Sequence, residues 1–233
     1  MVVGGFLSLS LPVLFINFKT YAQATGAKAV ELARIADSVS QETGKNIILV
    51  VQAVDIAAVS SATKLGVFAQ HVDPIEYGAH TGSVLPEAVK AAGAFGAVLN
   101  HAENKRDNKF VASAIMRAHA AGLVVMCCAE SKERACEIAD FGEKPEFIAI
   151  EPPELIGGGV SVSTANPKLI SDTVEAVQKI APQISIVTGA GIKSAGDTSK
   201  ALELGTRGVF VASAIVKSND QESALKKLLS GMG

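Results

Sequence analysis

The sequence predicts an α/β protein that folds as a single closed (β/α)8 barrel. Eight short, continuously apolar runs alternate along the 233 residues with amphipathic stretches of helical periodicity. Continuous apolar runs are typical of strands buried on both faces of a parallel sheet, and eight βα units can close such a sheet into a barrel. No linker interrupts the alternation. We therefore expect one domain over residues 1–233, in which residues 1–11 form an N-terminal extension whose order the sequence leaves open.

The individual elements follow from these patterns. The apolar runs predict strands at Val13–Phe18, Ile47–Val51, Val67–Gln70, Ala97–Leu99, Val124–Cys127, Phe147–Ile150, Ile184–Val187 and Val209–Ala212. Helical spacing of apolar residues predicts helices at Ala27–Val39, Asp55–Leu65, Leu85–Ala92, Asn108–Ala121, Lys132–Phe141, Pro167–Ile180, Ala195–Leu204 and Gln221–Leu229. Asp55 and Asn219 are expected to cap the helices that they precede.

An open, doubly wound sheet is the alternative architecture, and it usually carries a glycine-rich nucleotide fingerprint. Gly189 and Gly191 match the first two glycines of G-x-G-x-x-G, but Ser194 stands at the position of the third. The barrel is therefore preferred.

The composition excludes several classes of partner. The formal net charge is only −2, so we expect no nucleic-acid partner and no attraction to an anionic membrane surface. No run of 18 apolar residues predicts a membrane span. Cys127, Cys128 and Cys136 are odd in number and lack metal-ligand spacing, so we expect reduced thiols, no bound metal and a cytoplasmic location.

Polar residues follow several of the predicted strands. In a (β/α)8 barrel the chemistry lies at the carboxyl ends of the strands. Asn17 and Lys19 lie at the end of the first strand, on one face by period-two alternation, His101 follows the fourth and Glu151 the sixth. Each could singly be a solvated strand end or a helix-start residue. Together a lysine, a histidine and a carboxylate make a coherent set for proton transfer.

Two tight turns follow the last two strands. Gly189-Ala190-Gly191 comes after the seventh strand and Ala212-Ser213 after the eighth. Either could be an ordinary turn, but turns at these places commonly cradle a phosphate, because backbone N–H groups and helix N-termini attract anions. They predict a small phosphorylated substrate.

The segment after the sixth strand has the composition of an active-site lid. Pro152 and Pro153 stiffen its start, directly after Glu151, and Gly157-Gly158-Gly159 makes its far end flexible. The alternative is an ordinary loop after a buried strand.

These motifs resemble the triosephosphate isomerase family, in particular its short archaeal-type branch, from about Pro12 onward. Asn17-Phe18-Lys19 resembles the N-x-K motif of the family. Asn100-His101-Ala102-Glu103 resembles its fourth-strand histidine and downstream glutamate, although Ala102 replaces the usual serine. Glu151-Pro152 through Gly157 resembles the catalytic glutamate and its lid, without the tryptophan of the longer branch.

The resemblance implies a cofactor-independent interconversion of dihydroxyacetone phosphate and glyceraldehyde 3-phosphate through an enediolate, in glycolysis and gluconeogenesis. Lys19 would hold the negative charge of the substrate, His101 would hydrogen-bond the enediolate oxygens, and Glu151 would move the proton. Glu103 would support the site from beside Lys19. The implied substrate-binding residues are Asn17, Lys19, Gly157, Gly189, Ala190, Gly191, Ala212 and Ser213.

The resemblance also implies a homo-oligomer. Thr81, between Gly78 and Gly82, resembles the third-loop residue that packs against the site of a neighbouring subunit. The helices around residues 85–92 and 131–141 look short, which is typical of the trimmed, often tetrameric barrels of this branch. We therefore expect a tetramer rather than a dimer.

Two other functions remain as alternatives. A phosphosugar epimerase or a tryptophan-pathway barrel could use the same phosphate turns, but a metal-dependent epimerase would need more strand-end ligands than His71 and His101. A catalytically silent barrel would have lost the base or the electrophile, and both are present here.

Overall fold

The structure, a computed structural model, describes residues 11–152 and 161–233. Most of the predicted lid, including Gly157, and nearly all of the predicted N-terminal extension lie outside the described residues.

Eight parallel strands form a closed barrel in chain order, and the last strand pairs with the first. They are β1 (Val13–Asn17), β2 (Asn46–Val51), β3 (Gly66–Ala69), β4 (Gly96–Leu99), β5 (Val124–Ala129), β6 (Phe147–Ile150), β7 (Ser185–Thr188) and β8 (Gly208–Val211). Nearly every strand residue is buried, as the continuous apolar runs predict. The predicted (β/α)8 barrel is confirmed.

The described helices follow the strands as predicted, with ends that differ by a few residues. They are α1 (Ala27–Thr43), α2 (Ile56–Ala62), α3 (Pro86–Ala91), α4 (Asn108–Ala120), α5 (Lys132–Ala139), α6 (Val162–Ala165), α7 (Pro167–Ile180), α8 (Ala195–Glu203), α9 (Ser213–Val216) and α10 (Gln221–Leu229). The short helices α6 and α9 were not predicted, because four residues are too few to show a helical period. None of the described helices is long and apolar enough to cross a membrane.

The predicted caps hold only in part. Asp55 occupies the N-cap position of α2 as predicted, but its side chain makes no capping bond there, and its Oδ1 instead accepts the N–H of Gly26 at 3.2 Å, at the start of α1. The N-cap of α10 is Asp220, whose Oδ1 accepts the N–H of Ser223 at 2.9 Å, and not Asn219. In both cases the carboxylate satisfies a free helix N–H, which is what a cap does, but the partner differs from the one predicted.

Aromatic rings fill the barrel interior. Phe15 makes edge-to-face contacts with three other rings at centroid distances of 5.3–6.4 Å, namely Phe68, Phe147 and Phe210. Such offset contacts are the preferred geometry of aromatic pairs. The rings therefore form a solid floor beneath the carboxyl ends of the strands.

Candidate active site

The chain turns sharply where β1 ends. Asn17 is the last strand residue, and Lys19 has a left-handed backbone with φ of 49°, so it does not continue the strand alternation on which its placement was predicted. Asn17 Oδ1 accepts the N–H of Lys19 at 3.0 Å, and Gln70 Nε2 donates to the Lys19 carbonyl at 2.9 Å. These two bonds hold a conformation that is unfavourable for a residue with a Cβ. Lys19 therefore reaches the barrel mouth through a braced turn.

Lys19 pairs with the carboxylate that the sequence places beside it. Its Nζ lies 2.6 Å from Glu103 Oε1, and the lysine side chain is only 12% exposed whereas that of Glu103 is 59% exposed. The carboxylate therefore approaches from the solvent side and fixes the ammonium group at the mouth of the barrel.

His101 presents one defined nitrogen to the cleft. Its Nδ1 accepts the N–H of Glu103 at 3.1 Å, at the start of a short 3-10 helix, Ala102–Asn104. A nitrogen that accepts a hydrogen bond carries no proton, so this contact assigns a neutral ring with its proton on Nε2. The ring is 8% exposed and rests edge-on against Phe210 at 6.1 Å. Its Nε2–H is thus available as a donor inside the cleft.

Glu151 lies at the carboxyl end of β6, 5% exposed, with its Oε2 3.5 Å from His101 Nε2. Among the described residues this oxygen has no hydrogen-bond partner. Burial raises the pKa of the Glu151 carboxyl above its ordinary value, and the nearby His101 ring, Cys128 thiol and Lys19 ammonium group oppose that shift only in part. A buried carboxylate with a raised pKa and a free oxygen is suited to accept a proton.

The residues of the turn after β7 have two different surroundings. Gly189 lies directly against the Glu151 side chain, because a Cβ at this position would be 2.4 Å from Oε1. Ala190 and Gly191 both have positive φ, 67° and 75°, and line the cleft together with Ala212 and Ser213 from the end of β8. No hydrogen-bond acceptor for the Ala190 or Gly191 N–H groups is found in residues 11–152 and 161–233. These groups can therefore face an anion.

One cleft brings most of the predicted site residues together. It is lined by Asn17, Lys19, His101, Glu151, Ala190, Gly191, Ala212 and Ser213. Glu103 lines an adjoining cavity that shares Asn17, Lys19 and His101 with the cleft. Thr81 is exposed on the loop between β3 and α3 and lines neither.

Four further residues with polar or thiol side chains reach the site without a predicted role. Gln70 braces Lys19, Cys128 contacts Glu151 from the barrel interior, and Tyr21 and Lys193 line the cleft. The position of Gln70 at the end of the third strand was a usable signal, since strand ends converge. The described residues contain no cluster of three His, Cys, Asp or Glu side chains with the geometry of a metal site.

The fold and the cleft define a (β/α)8-barrel enzyme with a lysine, a neutral histidine and a buried carboxylate at the strand ends. A family model described as triosephosphate isomerase matches residues 12–229. The triosephosphate isomerase of Methanothermus fervidus is 41% identical over 221 residues, which cover 95% of this chain and 99% of that protein. The triosephosphate isomerase of Methanosarcina mazei is 41% identical, over 94% of this chain and 97% of that protein. That of Methanocaldococcus jannaschii is 37% identical, over 93% of this chain and 98% of that protein. The chain belongs to the triosephosphate isomerase family, and it is an isomerase.

Proposed function

We propose that this chain interconverts dihydroxyacetone phosphate and glyceraldehyde 3-phosphate through an enediolate, without a cofactor, as a step of glycolysis and gluconeogenesis. The main support for this proposal is the geometry of Glu151 and His101. Glu151 is a buried carboxylate whose Oε2 has no hydrogen-bond partner within residues 11–152 and 161–233, and this oxygen lies 3.5 Å from the Nε2 atom of a neutral His101. A base and a hydrogen-bond donor side by side suit proton transfer between two adjacent carbons, each of which carries an oxygen.

Glu151 acts as the base. It removes the proton from the carbon beside the carbonyl and returns it to the former carbonyl carbon. The hydroxyl proton passes from one substrate oxygen to the other by way of His101 Nε2, so that the carboxylate and the neutral ring are both regenerated in each turnover. Desolvation raises the pKa of the carboxyl and so makes the anion a stronger base than an exposed glutamate. The nearby positive charge of Lys19 opposes this shift only in part.

His101 and Lys19 stabilise the charge that this transfer creates on the substrate oxygens. The Nε2–H of His101 donates to the enediolate oxygens, and its orientation is set in advance by the bond between Nδ1 and the Glu103 N–H. Lys19 adds a positive charge, which Glu103 holds at the edge of the cleft. Donors that are fixed before the reaction stabilise the developing charge without a cost of reorganisation.

The substrate phosphate binds at the turns after β7 and β8. Two features support this phosphate site. Ala190 and Gly191 have left-handed backbones and line the cleft. Beside them, the N–H groups of Ala212 and Ser213 lie at the start of the short helix α9. Gly189 contributes by leaving room for Glu151 next to this turn. The proposed contact of Gly157 with the phosphate falls on a residue outside the described ones.

A coupled assay with glyceraldehyde 3-phosphate tests the proposal. We expect turnover that 2-phosphoglycolate inhibits competitively, because this compound carries a phosphate and a carboxylate like the charges of the enediolate. Turnover should survive treatment with a chelator. An activity that a chelator abolishes would instead favour a metal-dependent epimerase.

We propose further that the chain is one domain that assembles as a cytoplasmic homo-oligomer, a tetramer rather than a dimer. Exposed Thr81, at the tip of the loop that follows β3, supports a subunit contact. Three free thiols, of which Cys127 and Cys128 are buried, support a reducing compartment. Light scattering across a dilution series tests the assembly, and a monomer that keeps full activity would refute it.

A further inference from the structure

A cluster of hydroxyl groups surrounds Asp197 behind the turn that follows β7. Ser161 Oγ donates to Asp197 Oδ1 at 2.6 Å, and Ser194 Oγ donates to Oδ2 at 2.8 Å. The N–H groups of Lys193 and Ser194 also donate to Oδ2, at 3.1 and 3.0 Å. The two oxygens of one carboxylate therefore bind two different segments of the chain. We call Ser161, Ser194 and Asp197 the Asp197 clamp.

Helix capping explains only half of this clamp. The contacts of Oδ2, together with the Asp197 N–H that donates to Ser194 Oγ at 3.1 Å, form a capping box at the start of α8. Capping does not need the bond from Ser161 to Oδ1. That bond is short, charge-assisted and made by a residue that is only 3% exposed.

The segment that begins at Ser161 continues to the phosphate turn. The N–H of Val162 donates to the Ala190 carbonyl at 3.1 Å, and Ser163 Oγ donates to the backbone carbonyl of Asp197 at 3.2 Å. Residues 161–163 thus form a bridge between the first turn of α8 and Ala190. The three side chains of this bridge are buried.

Ala190 needs such support. Its φ of 67° is a left-handed conformation that a residue with a Cβ rarely adopts, at a cost of about 1 kcal/mol or more. A residue remains in that conformation only where its surroundings hold it there. The bond from Val162 acts on the carbonyl of Ala190, and the clamp holds Val162 in place through Ser161.

We propose that Ser161 and Asp197 are positioning residues for phosphate binding: they hold Ala190 in its left-handed conformation, so that the Ala190–Gly191 turn faces the cleft. The inference rests on the proposed function, in which this turn binds the substrate phosphate. Hydrogen bonds to Asp197 also keep its carboxylate charged, because they lower its pKa although burial opposes ionisation.

Ser161→Ala removes the bond to Oδ1, together with contacts of Ser161 Oγ to Ser163 Oγ and Thr164 Oγ1 at 3.0 Å each, and leaves the capping box intact. We expect the dissociation constants of inorganic phosphate and of 2-phosphoglycolate, measured by calorimetric titration, to rise by about tenfold, and KM to rise with them. We expect kcat to change by less than about threefold, because the phosphate is held alike in the bound substrate and in the transition state. Ser161→Thr keeps the hydroxyl and should restore the affinity.

Ser223→Ala is the matched control. It removes a Ser–Asp contact of 2.8 Å at the start of α10, and neither Ser223 nor Asp220 lines the cleft. We expect it to lower the melting temperature without any effect on the affinity for phosphate. Should Ser161→Ala not fold, Ser161→Cys places a slightly larger and weaker donor at this position and repeats the test.

The inference is overturned if Ser161→Ala lowers the melting temperature, as the control does, while both dissociation constants stay within about twofold of those of the unmodified chain. Because titration with phosphate needs no turnover, it separates the two proposals. An unmodified chain without isomerase activity refutes the proposed function alone, provided that phosphate still binds and that Ser161→Ala still weakens its binding.

Discussion

Gly189 provides the space that the Glu151 carboxylate occupies: a Cβ on residue 189 would lie 2.4 Å from Oε1 and 2.8 Å from Cγ of Glu151. Glycine is required here because of this close approach, since the backbone of residue 189 is not among those with positive φ. The turn after β7 thus controls the position of the proposed base, Glu151, and its next two residues line the cleft.

Gly189→Ala should therefore displace Glu151 from its place beside His101. We expect kcat to fall by about 10- to 100-fold, because a shift of about 1 Å in a catalytic base has an effect of this order. Overpacking should also destabilise the fold by about 1 to 3 kcal/mol. Steady-state kinetics and thermal unfolding measure the two effects separately.

Gly196→Ala is the control for this substitution. Among the described residues a Cβ there meets only Ser194 Oγ, at 3.7 Å. Alanine is favoured over glycine within a helix such as α8 by about 0.5 to 1 kcal/mol. It should therefore stabilise the fold and leave kcat unchanged. If both variants had the same kcat, the role assigned to Gly189 would be wrong.

Glu151→Gln should strongly impair catalysis and stabilise the fold at the same time. Loss of the base should lower kcat by about 10²- to 10⁴-fold. Burial raises the pKa of Glu151 in the folded state, so at a pH above that pKa the folded chain bears the cost of an ionised buried carboxylate, which glutamine does not incur. We expect the variant to be more stable at pH 8 by about 1 to 2 kcal/mol.

The sign of this effect fixes its pH dependence. As the pH falls below the ordinary value of 4.5, Glu151 becomes protonated in both the folded and the unfolded states, so the advantage of glutamine should vanish. Glu130→Gln should behave in the opposite way, because hydrogen bonds to its own backbone N–H and to Lys105 outweigh desolvation and lower the pKa of that carboxyl. Unfolding by denaturant at a series of pH values compares the two variants, and a destabilised Glu151→Gln at pH 8 would contradict the prediction.

The sequence predicts the barrel well because each strand carries its own signal, a short apolar run between glycines and helical patterns. Lys19 lines the cleft, as predicted, but the argument that placed it there was wrong. Strand alternation does not apply, since β1 ends at Asn17, and Lys19 reaches the cleft through a left-handed turn. That turn depends on Gln70, 51 residues away along the chain, and such a contact leaves no local pattern.

The helix caps also depend on contacts with distant segments, which the local sequence does not show. Asp55 has the residue type and spacing of an N-cap, yet its carboxylate accepts the N–H of Gly26 at the start of α1. Local spacing cannot reveal a competing donor that only tertiary structure brings near. Short elements such as α6 and α9 are set in the same way by neighbouring segments.

Gln70→Met tests whether the brace on Lys19 matters for catalysis. Methionine keeps the length of the side chain but cannot donate to the Lys19 carbonyl, so the left-handed turn loses one of its two supports. We expect kcat/KM to fall by about tenfold, with a loss of about 1 kcal/mol of stability. Gln52→Met is the control, because Gln52 donates to Thr25 Oγ1 and does not line the cleft. Equal losses of kcat/KM in the two variants would rule out a specific role for Gln70.

His119 should make stability depend on pH at the end of the barrel opposite the cleft. Its Nε2 lies 3.4 Å from Glu146 Oε2 and its Nδ1 3.3 Å from Glu143 Oε2, and Glu146 also accepts the N–H of Val125 at the start of β5. The hydrogen bond to Glu146, followed by the charges of both glutamates, raises the pKa of His119 above 6.5 although burial opposes the shift. The stabilisation is thus complete below pH 6.5 and is lost as the pH rises through the folded-state pKa.

His119→Gln should remove this dependence. We expect it to destabilise the fold by about 0.5 to 1 kcal/mol at pH 6, a modest value because both glutamates are partly exposed, and by less at pH 9. His80→Gln, at an exposed position in the loop after β3, is the control and should leave the pH dependence of unfolding as it is in the unmodified chain. Since His119 is remote from the cleft, kcat should not change in either variant. An unfolding free energy that differs from that of the unmodified chain by the same amount at pH 6 and pH 9 would show that the charge of His119 makes no contribution.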